Sequence, residues 1–349
     1  MNLRQLLKIS LPIIQAPMAG VQDNKLTVAV SKAGGLGSLP CAMLDSDAIR
    51  YELTKIREQT AEPYNVNFFC HTQPEPNHKQ ETVWRAVLSP YFAEFGIDPN
   101  TIPVGPSRMP FSNEVAEVLE EFKPPVVSFH FGLPSVDLMT RVRGWGAKIL
   151  SSATTVEEAR WLEAHGVDAI IAQGLEAGGH RGIFLSEDLN TQSGTFVLVP
   201  QIVQAVKIPV IAAGGISDAK GVAAAMALGA AGVQVGTSYM LCPEATTSTV
   251  HRGALKSEAA SVTALTNLFT GRPARSITNR IIKELGPISA ATPVFPLATS
   301  AIAPLRAKAE SMGSGDFSPL WAGQNISGCK EVSAGQLTKE LVREIEGAF

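Results

Sequence analysis

A chain of 349 residues with 45% hydrophobic and 17% charged residues can bury a large core, which excludes general disorder. Its net charge of −3, with Lys and Arg scattered along the chain, argues against nucleic acid as the main partner. No uninterrupted apolar run reaches the roughly 18 residues of a membrane span, and the opening Met-Asn-Leu-Arg-Gln-Leu-Leu-Lys-Ile-Ser is too short and polar for a leader peptide, so the expectation is a cytoplasmic protein that does not bind membranes.

The elements alternate from the start. A strand is predicted at 13–15, and it runs into Gln15-Ala-Pro-Met-Ala-Gly20. Pro17 lacks an N–H and fixes its own φ, so the chain must leave the sheet here. Met18 is suited either to the core or to the face of a flat aromatic ring. A helix is expected at 25–33, a strand at 36–38, a helix at 46–59 and a strand at 64–69. In that strand Asn67 is polar among apolar neighbours, so it serves either an internal hydrogen bond or a bound group. His71 follows it. A helix at 81–95 precedes an inserted loop and helix at 103–123. The fourth strand, 126–131, carries His130 late in its run. A helix at 136–144, a strand at 147–151 and a helix at 155–165 follow. The strand at 169–173 ends in Gln173 and opens a glycine-rich loop, Gly174-Leu-Glu-Ala-Gly-Gly-His-Arg-Gly182.

That loop is the most informative stretch. Gly178, Gly179 and Gly182 permit close backbone approach, and His180 is the side chain able to change charge near neutral pH. Arg181 either holds an anionic substrate or lies on the surface. After a helix at 198–206 comes a strand at 210–213, then Gly214-Gly215 and a helix expected at 218–228. A strand at 232–235 completes the series with Gln234-Val235-Gly236-Thr237. Two glycine-rich strand ends in succession, with amides aimed at a helix N-terminus, suit a phosphate. Asn67 and Gln173 together suit the edge of a heterocycle with carbonyls and ring N–H groups, which points to flavin.

Strand and helix in repetition imply a parallel sheet. Eight short apolar strands with chemistry-bearing loops at many of their ends fit an α/β fold of the (β/α)8 TIM-barrel type. The barrel is expected over residues 1–240, a helical cap over its mouth at 241–325, and a C-terminal helix packing back on the barrel at 326–349. Within these, helices are expected at 255–268, 304–310 and 337–346. His78, His165 and His251 read as surface residues. Cys41, Cys70, Cys242 and Cys329 have no CxxC spacing, so they read as reduced, partly buried thiols. There is no metal motif and no GxSxG nucleophile turn.

Taken in order, QAPMAG (15–20), GGLGSLP (34–40), NVNFFCH (65–71), SFHFGLP (128–134), QGLEAGGHRG (173–182), AAGGI (212–216), QVGT (234–237) and LWAGQ (320–324) resemble the nitronate monooxygenase family, class I in particular. The resemblance spans nearly the whole chain. It implies FMN at the C-terminal mouth of the barrel. Ala16, Pro17 and Met18 would lie beside the ring, and Asn67 and Gln173 would contact the isoalloxazine or ribityl region. Gly178 and Gly179 would line the cofactor. Gly214, Gly215, Gln234, Val235, Gly236 and Thr237 would hold its phosphate, while Gly323 and Gln324 return from the cap to close the site. His180 stands at the family's catalytic histidine, and His130 and Arg181 are candidate substrate contacts. The implied reaction converts a small-molecule alkyl nitronate, such as propionate 3-nitronate, with O2 to a carbonyl product and nitrite. The alternative is an NAD(P)H-dependent flavin reductase acting on a quinone or an enoyl thioester. A homodimer is a further expectation. Some members line the substrate pocket with tyrosines, whereas this chain carries Met109 and Phe111 in the corresponding insert.

Overall fold

The computed structural model describes residues 2–102 and 108–345. The loop expected at 103–107 and residue 346 lie outside the described residues, and the helix expected at 337–346 runs instead over Ala334–Glu340. Eleven strands occur among those residues: β1 (Ile13–Gln15), β2 (Gly37–Pro40), β3 (Tyr64–Phe69), β4 (Val126–His130), β5 (Lys148–Ala153), β6 (Ala169–Gln173), β7 (Gly179–His180), β8 (Val210–Ala213), β9 (Gly232–Val235), β10 (Thr263–Thr266) and β11 (Ala274–Ile277). Eight of them pair in parallel in the order β1-β9-β8-β6-β5-β4-β3-β2. A parallel bridge between Ile14 and Leu36 joins the two ends. The sheet therefore closes on itself as a TIM barrel, and no barrel strand is left with an open edge.

Alternation of side chains along each strand builds two cores. Ile14, Leu36, Val126, Leu150, Ile171 and Ile211 point inward and meet Leu3, Leu6 and Leu7, which belong to the short helix α1 (Leu3–Leu7). Their alternate neighbours Ile13, Val66, Val127, Ile149, Ile170 and Val233 face the surrounding helices. Above the inward apolar layer the barrel interior turns polar. Asn65 Nδ2 donates to Ser38 Oγ (3.0 Å) and Ser128 Oγ (2.8 Å). Every strand of this interior ends toward one mouth, where chain direction places the loops that carry chemistry.

The helices around the barrel are α2 (Asn24–Lys32), α3 (Ser46–Gln59), α4 (His78–Phe95), α5 (Asn113–Phe122), α6 (Val136–Gly144), α7 (Val156–Ala164), α8 (Thr195–Ala205) and α9 (Ala219–Ala227). Two of them exchange the roles expected from sequence. The helix following β3, α4, leaves the outer ring and buries Trp84, Leu88 and Phe92 against Ile302 and Leu305. The segment read as an insert supplies α5, which packs between α3 and α6. Its amphipathic face, with Ala116, Val118 and Leu119 buried, makes it the better match to the barrel wall.

Beyond β9 come α10 (Thr249–Leu255), α11 (Arg280–Leu285), α12 (Thr299–Ser311) and α13 (Ala334–Glu340). This region is not wholly helical, which corrects the expectation of a helix at 255–268. A 3-10 turn at Glu258–Ser261 leads into β10, which pairs antiparallel with β11. A short apolar run does not by its periodicity distinguish helix from strand, and here the β-branched Thr263 and Thr266 sit in an edge pairing. Helix α13 packs against α2, with the Tyr239 hydroxyl hydrogen-bonded to Thr338 Oγ1 (2.8 Å). No helix among the described residues is long and apolar enough to cross a membrane.

Candidate active site

A cavity opens at the barrel mouth, and every barrel strand contributes to it at or just past its carboxyl end. Its lining includes Ala16, Pro17, Met18, Pro40, Asn67, Phe69, Phe129, His130, Ser152, Gln173, Gly178, Gly179, His180, Gly214, Gly215, Gln234, Gly236 and Thr237. Trp321, Gly323 and Asn325 return from the C-terminal part of the chain to the same wall. Most residues singled out from sequence therefore converge on one space.

The His180 loop is held from three sides. Gln173 spans it, with Nε2 donating to His180 O (2.9 Å) and Oε1 accepting from Gly182 N (2.7 Å). Gly179 and His180 form β7, which pairs with Arg275 and Ala274 of β11. The hairpin missed in the sequence reading is thus the brace of the loop. From below, His130 Nε2 donates to His180 O (3.2 Å), and its Nδ1 bonds to Ser152 Oγ. An alanine methyl at Gly182 would lie 2.8 Å from both His130 Cε1 and Ser152 Oγ. Only glycine lets the loop settle this close to β4 and β5.

The His180 ring contacts Thr270 Oγ1 through Nε2 at 2.9 Å. Phe295 and Trp321 flank it, each with a ring centroid 5.4 Å away. Burial, followed by the Arg108 guanidinium and the His130 ring, holds its pKa well below 6.5. Burial also pulls His130 down to about 3. Both rings are therefore neutral at physiological pH. His71 packs edge-on to Phe295 with centroids 4.9 Å apart, behind the cavity wall rather than on it.

Five sequence expectations need correction. Arg181 does not reach the cavity: it is fully buried and donates to Gln192 Oε1 (3.0 Å), Gly174 O (2.7 Å) and Gln173 O (2.8 Å). A cation held by three carbonyl acceptors is a structural strut, and Arg108 of the distant insert is the arginine that lines the cavity among the described residues. His130 lines the wall, but both its ring nitrogens are taken by protein partners. Neither Val235, buried in the outer core, nor Gln324 is in the cavity lining; their neighbours Gly236 and Asn325 are. His251, read as a surface residue, is buried and donates from Nε2 to Trp321 O (3.1 Å). Of the two insert residues, Met109 is exposed and Phe111 packs in the core against Phe68 and Phe129.

The helix following the double glycine also differs in detail. Asp218 caps α9 by accepting from Gly221 N, so that helix end is already satisfied by its own carboxylate. The glycines themselves adopt positive φ, +116° at Gly214 and +70° at Gly215, a backbone shape that side chains oppose. Next to them, the 3-10 turn Thr237–Leu241 begins at Gly236 with no side-chain cap.

The returning segment closes tightly on this loop. Gly323 N donates to Thr237 Oγ1 (2.9 Å) and Gln324 N to Glu176 O (3.0 Å). A methyl at Gly178 would sit 2.6 Å from Ala322 C and Gly323 N. The Gly178→Ala variant is expected to cost about 1–3 kcal/mol through this overlap. Urea unfolding checks it, and an unchanged midpoint contradicts the close approach.

The nitronate monooxygenase family model matches residues 1–344. This chain belongs to the nitronate monooxygenase family. It is 41% identical over 348 residues to the nitronate monooxygenase of Pseudomonas aeruginosa, covering 98% of each chain. It is likewise 41% identical to that of Paraburkholderia phytofirmans, covering 98% of this chain and 94% of the relative. Among solved structures, the nitroalkane oxidase of Streptomyces ansochromogenes superposes with a TM-score of 0.88 at 38% identity, covering 99% of this chain and 98% of that one. The FabK structure from Thermotoga maritima gives 0.74 at 27% identity, covering 100% and 97%. The family is one of flavin-dependent oxidoreductases acting on small molecules. The reductase reading has the weaker likeness of the two.

Proposed function

We propose that this protein binds FMN at the barrel mouth and oxidises alkyl nitronates, propionate 3-nitronate among them, with O2 to a carbonyl product and nitrite. One observation carries the reading: a neutral, buried imidazole on a rigidly braced glycine loop shares a cavity with the positive-φ glycine turn. That pairing sets a proton acceptor opposite an anion cradle.

The donor set fits the cofactor. Gln234 Oε1 lines the cavity, is buried, and has no hydrogen-bond partner among the described residues, as an acceptor awaiting a bound group does. Gly214, Gly215, Gly236 and Thr237 would hold the phosphate. Asn67, whose Nδ2 already donates to Ser128 Oγ (2.9 Å), and Gln173 keep amide capacity for the ring and its side chain. Met18 Sδ lies 3.5 Å from where a methyl on Gly236 would be, so Ala16, Pro17 and Met18 form one wall beside the ring. When bound, FMN supplies the electron acceptor and the centre that meets O2.

The chain's own residues supply position, proton control and dryness. The Thr270 hydroxyl points toward Arg272 O (3.4 Å). With that hydroxyl donating to Arg272 O, Thr270 Oγ1 would accept from His180 Nε2–H, and Nδ1 would be the basic atom. Toward a neutral nitroalkane this atom takes the α-proton. Toward a nitronate no proton transfer is needed, and the ring packs against the substrate. Phe69, Phe295 and Trp321 keep water from the reacting carbon.

The test is spectroscopic. Purified protein is expected to be yellow, to bleach on anaerobic mixing with a nitronate, and to release nitrite in air. Flavin that stays oxidised, with no nitrite formed, refutes the reading. Rapid bleaching by NADH instead points to a reductase.

A further inference from the structure

We propose that Arg108 is the specificity-determining residue of this cavity, and that it receives a carboxylate carried on the far end of the nitronate substrate. The inference rests on the reading above and extends it to a residue that no motif covers.

Arg108 lines the same cavity as His180. Its Nε and Nη1 are buried and have no hydrogen-bond partner among the described residues. Among the described residues its side-chain polar contact is from Nη2 to the sulfur of Met43, at 4.0 Å. Among the described residues no acidic side chain lines the cavity, and the charge that acts on Arg108 is another cation, Arg306. Burial lowers its pKa only to about 10, so it stays charged at neutral pH. A buried guanidinium without an anion is an unstable arrangement. Contrast Arg181, more deeply buried but with three acceptors. Arg181 is finished, whereas Arg108 has donors left for a ligand.

Arg108 and His180 are close enough for one ligand to reach both. Each contacts the Phe295 ring, Arg108 Cζ at 5.7 Å from its centroid and the His180 ring centroid at 5.4 Å, and the Arg108 charge acts on His180. The two ends of one short-chain anion can therefore meet both groups. A short-chain nitronate bearing a terminal carboxylate fits this pairing. The carboxylate would take charge-assisted hydrogen bonds from Arg108, while the nitronate carbon lies toward His180. Arg108 also adds to the positive field that keeps His180 neutral.

The test compares two probes, propionate 3-nitronate and ethyl nitronate, which differ by a carboxylate. In Arg108→Gln the ratio of their kcat/KM values is expected to fall at least about fivefold, mainly through KM. A smaller fall overturns the proposal. A second measurement needs no variant: by calorimetry, wild-type protein is expected to bind butyrate at least about fivefold more tightly than butyramide. A smaller difference overturns the proposal as well. If wild-type protein makes nitrite from neither nitronate, the proposed function fails, and the butyrate comparison still decides on Arg108.

Discussion

The His180→Asn variant is expected to lose about a hundredfold to ten-thousandfold in kcat/KM for a neutral nitroalkane, the usual contribution of a positioned general base. Asparagine keeps a polar group near Thr270 but offers no basic nitrogen. With a preformed nitronate the proton is already gone, so the loss is expected to be less than about tenfold. That split separates a base from a residue that only shapes the cavity. The pH profile gives a second check. A base works unprotonated, and burial with the neighbouring cations sets His180 well below 6.5. Activity on the neutral substrate is therefore expected to show no His180 limb near pH 6.5, and to fall only as pH drops through the lower value. Equal losses on both substrates, or a limb at 6.5 that vanishes in His180→Asn, contradict the assignment.

Acidification is expected to destabilise the fold from pH 6.5 downward. His71, His130, His180 and His251 all have folded pKa values below 6.5, burial being the largest cause in each case. Below that pH the unfolded chain takes up protons that the folded chain refuses, so stability is full above 6.5 and is lost as pH falls. The loss continues until the folded groups themselves protonate, near about 4 for His251 and about 3 for His130. One group contributes about 1.4 kcal/mol for each pH unit in which only the unfolded chain is protonated. Several such groups remove a large part of a typical 5–15 kcal/mol of stability. Carboxylates with lowered values, such as Glu310, enter only below their ordinary 4.5. The window from 6.5 to 4.5 thus belongs to the histidines. Urea midpoints across that window measure the slope, and His251→Gln, which keeps a donor for Trp321 O, is expected to flatten it. A midpoint constant from pH 7 to 5 contradicts the prediction.

The barrel was legible because its signals are local. Strands at 13–15, 64–69, 169–173, 210–213 and 232–235 have the same bounds in sequence and structure, since a doubly buried parallel strand reads as a short apolar run between turn residues. The site was legible where backbone shape demands glycine, as at Gly178, Gly214 and Gly215. It was illegible where a role depends on partners distant in sequence. Arg181 and Arg108 look alike as letters, yet one meets Gln192 and two carbonyls while the other, among the described residues, meets a thioether and the Phe295 ring. His251 looked exposed because its acceptor, Trp321 O, lies 70 positions away. Helix α4 looked like a barrel helix because its apolar residues face α12 as regularly as they would have faced a strand. Trp321 had a pointer in the motif at 320–324, which Asn325 follows directly, but Arg108 had none.

The dependence of the cavity on Trp321, Gly323 and Asn325 orders events during synthesis. A nascent chain elongated through β9 already contains all eight barrel strands, yet at that length it is an uncovered bowl. The wall that locks onto Thr237 through Gly323 N is translated almost a hundred residues later. A prosthetic group gripped by both walls is enclosed only once that late segment is made, so a polypeptide stopped before Gly323 would lack the grip.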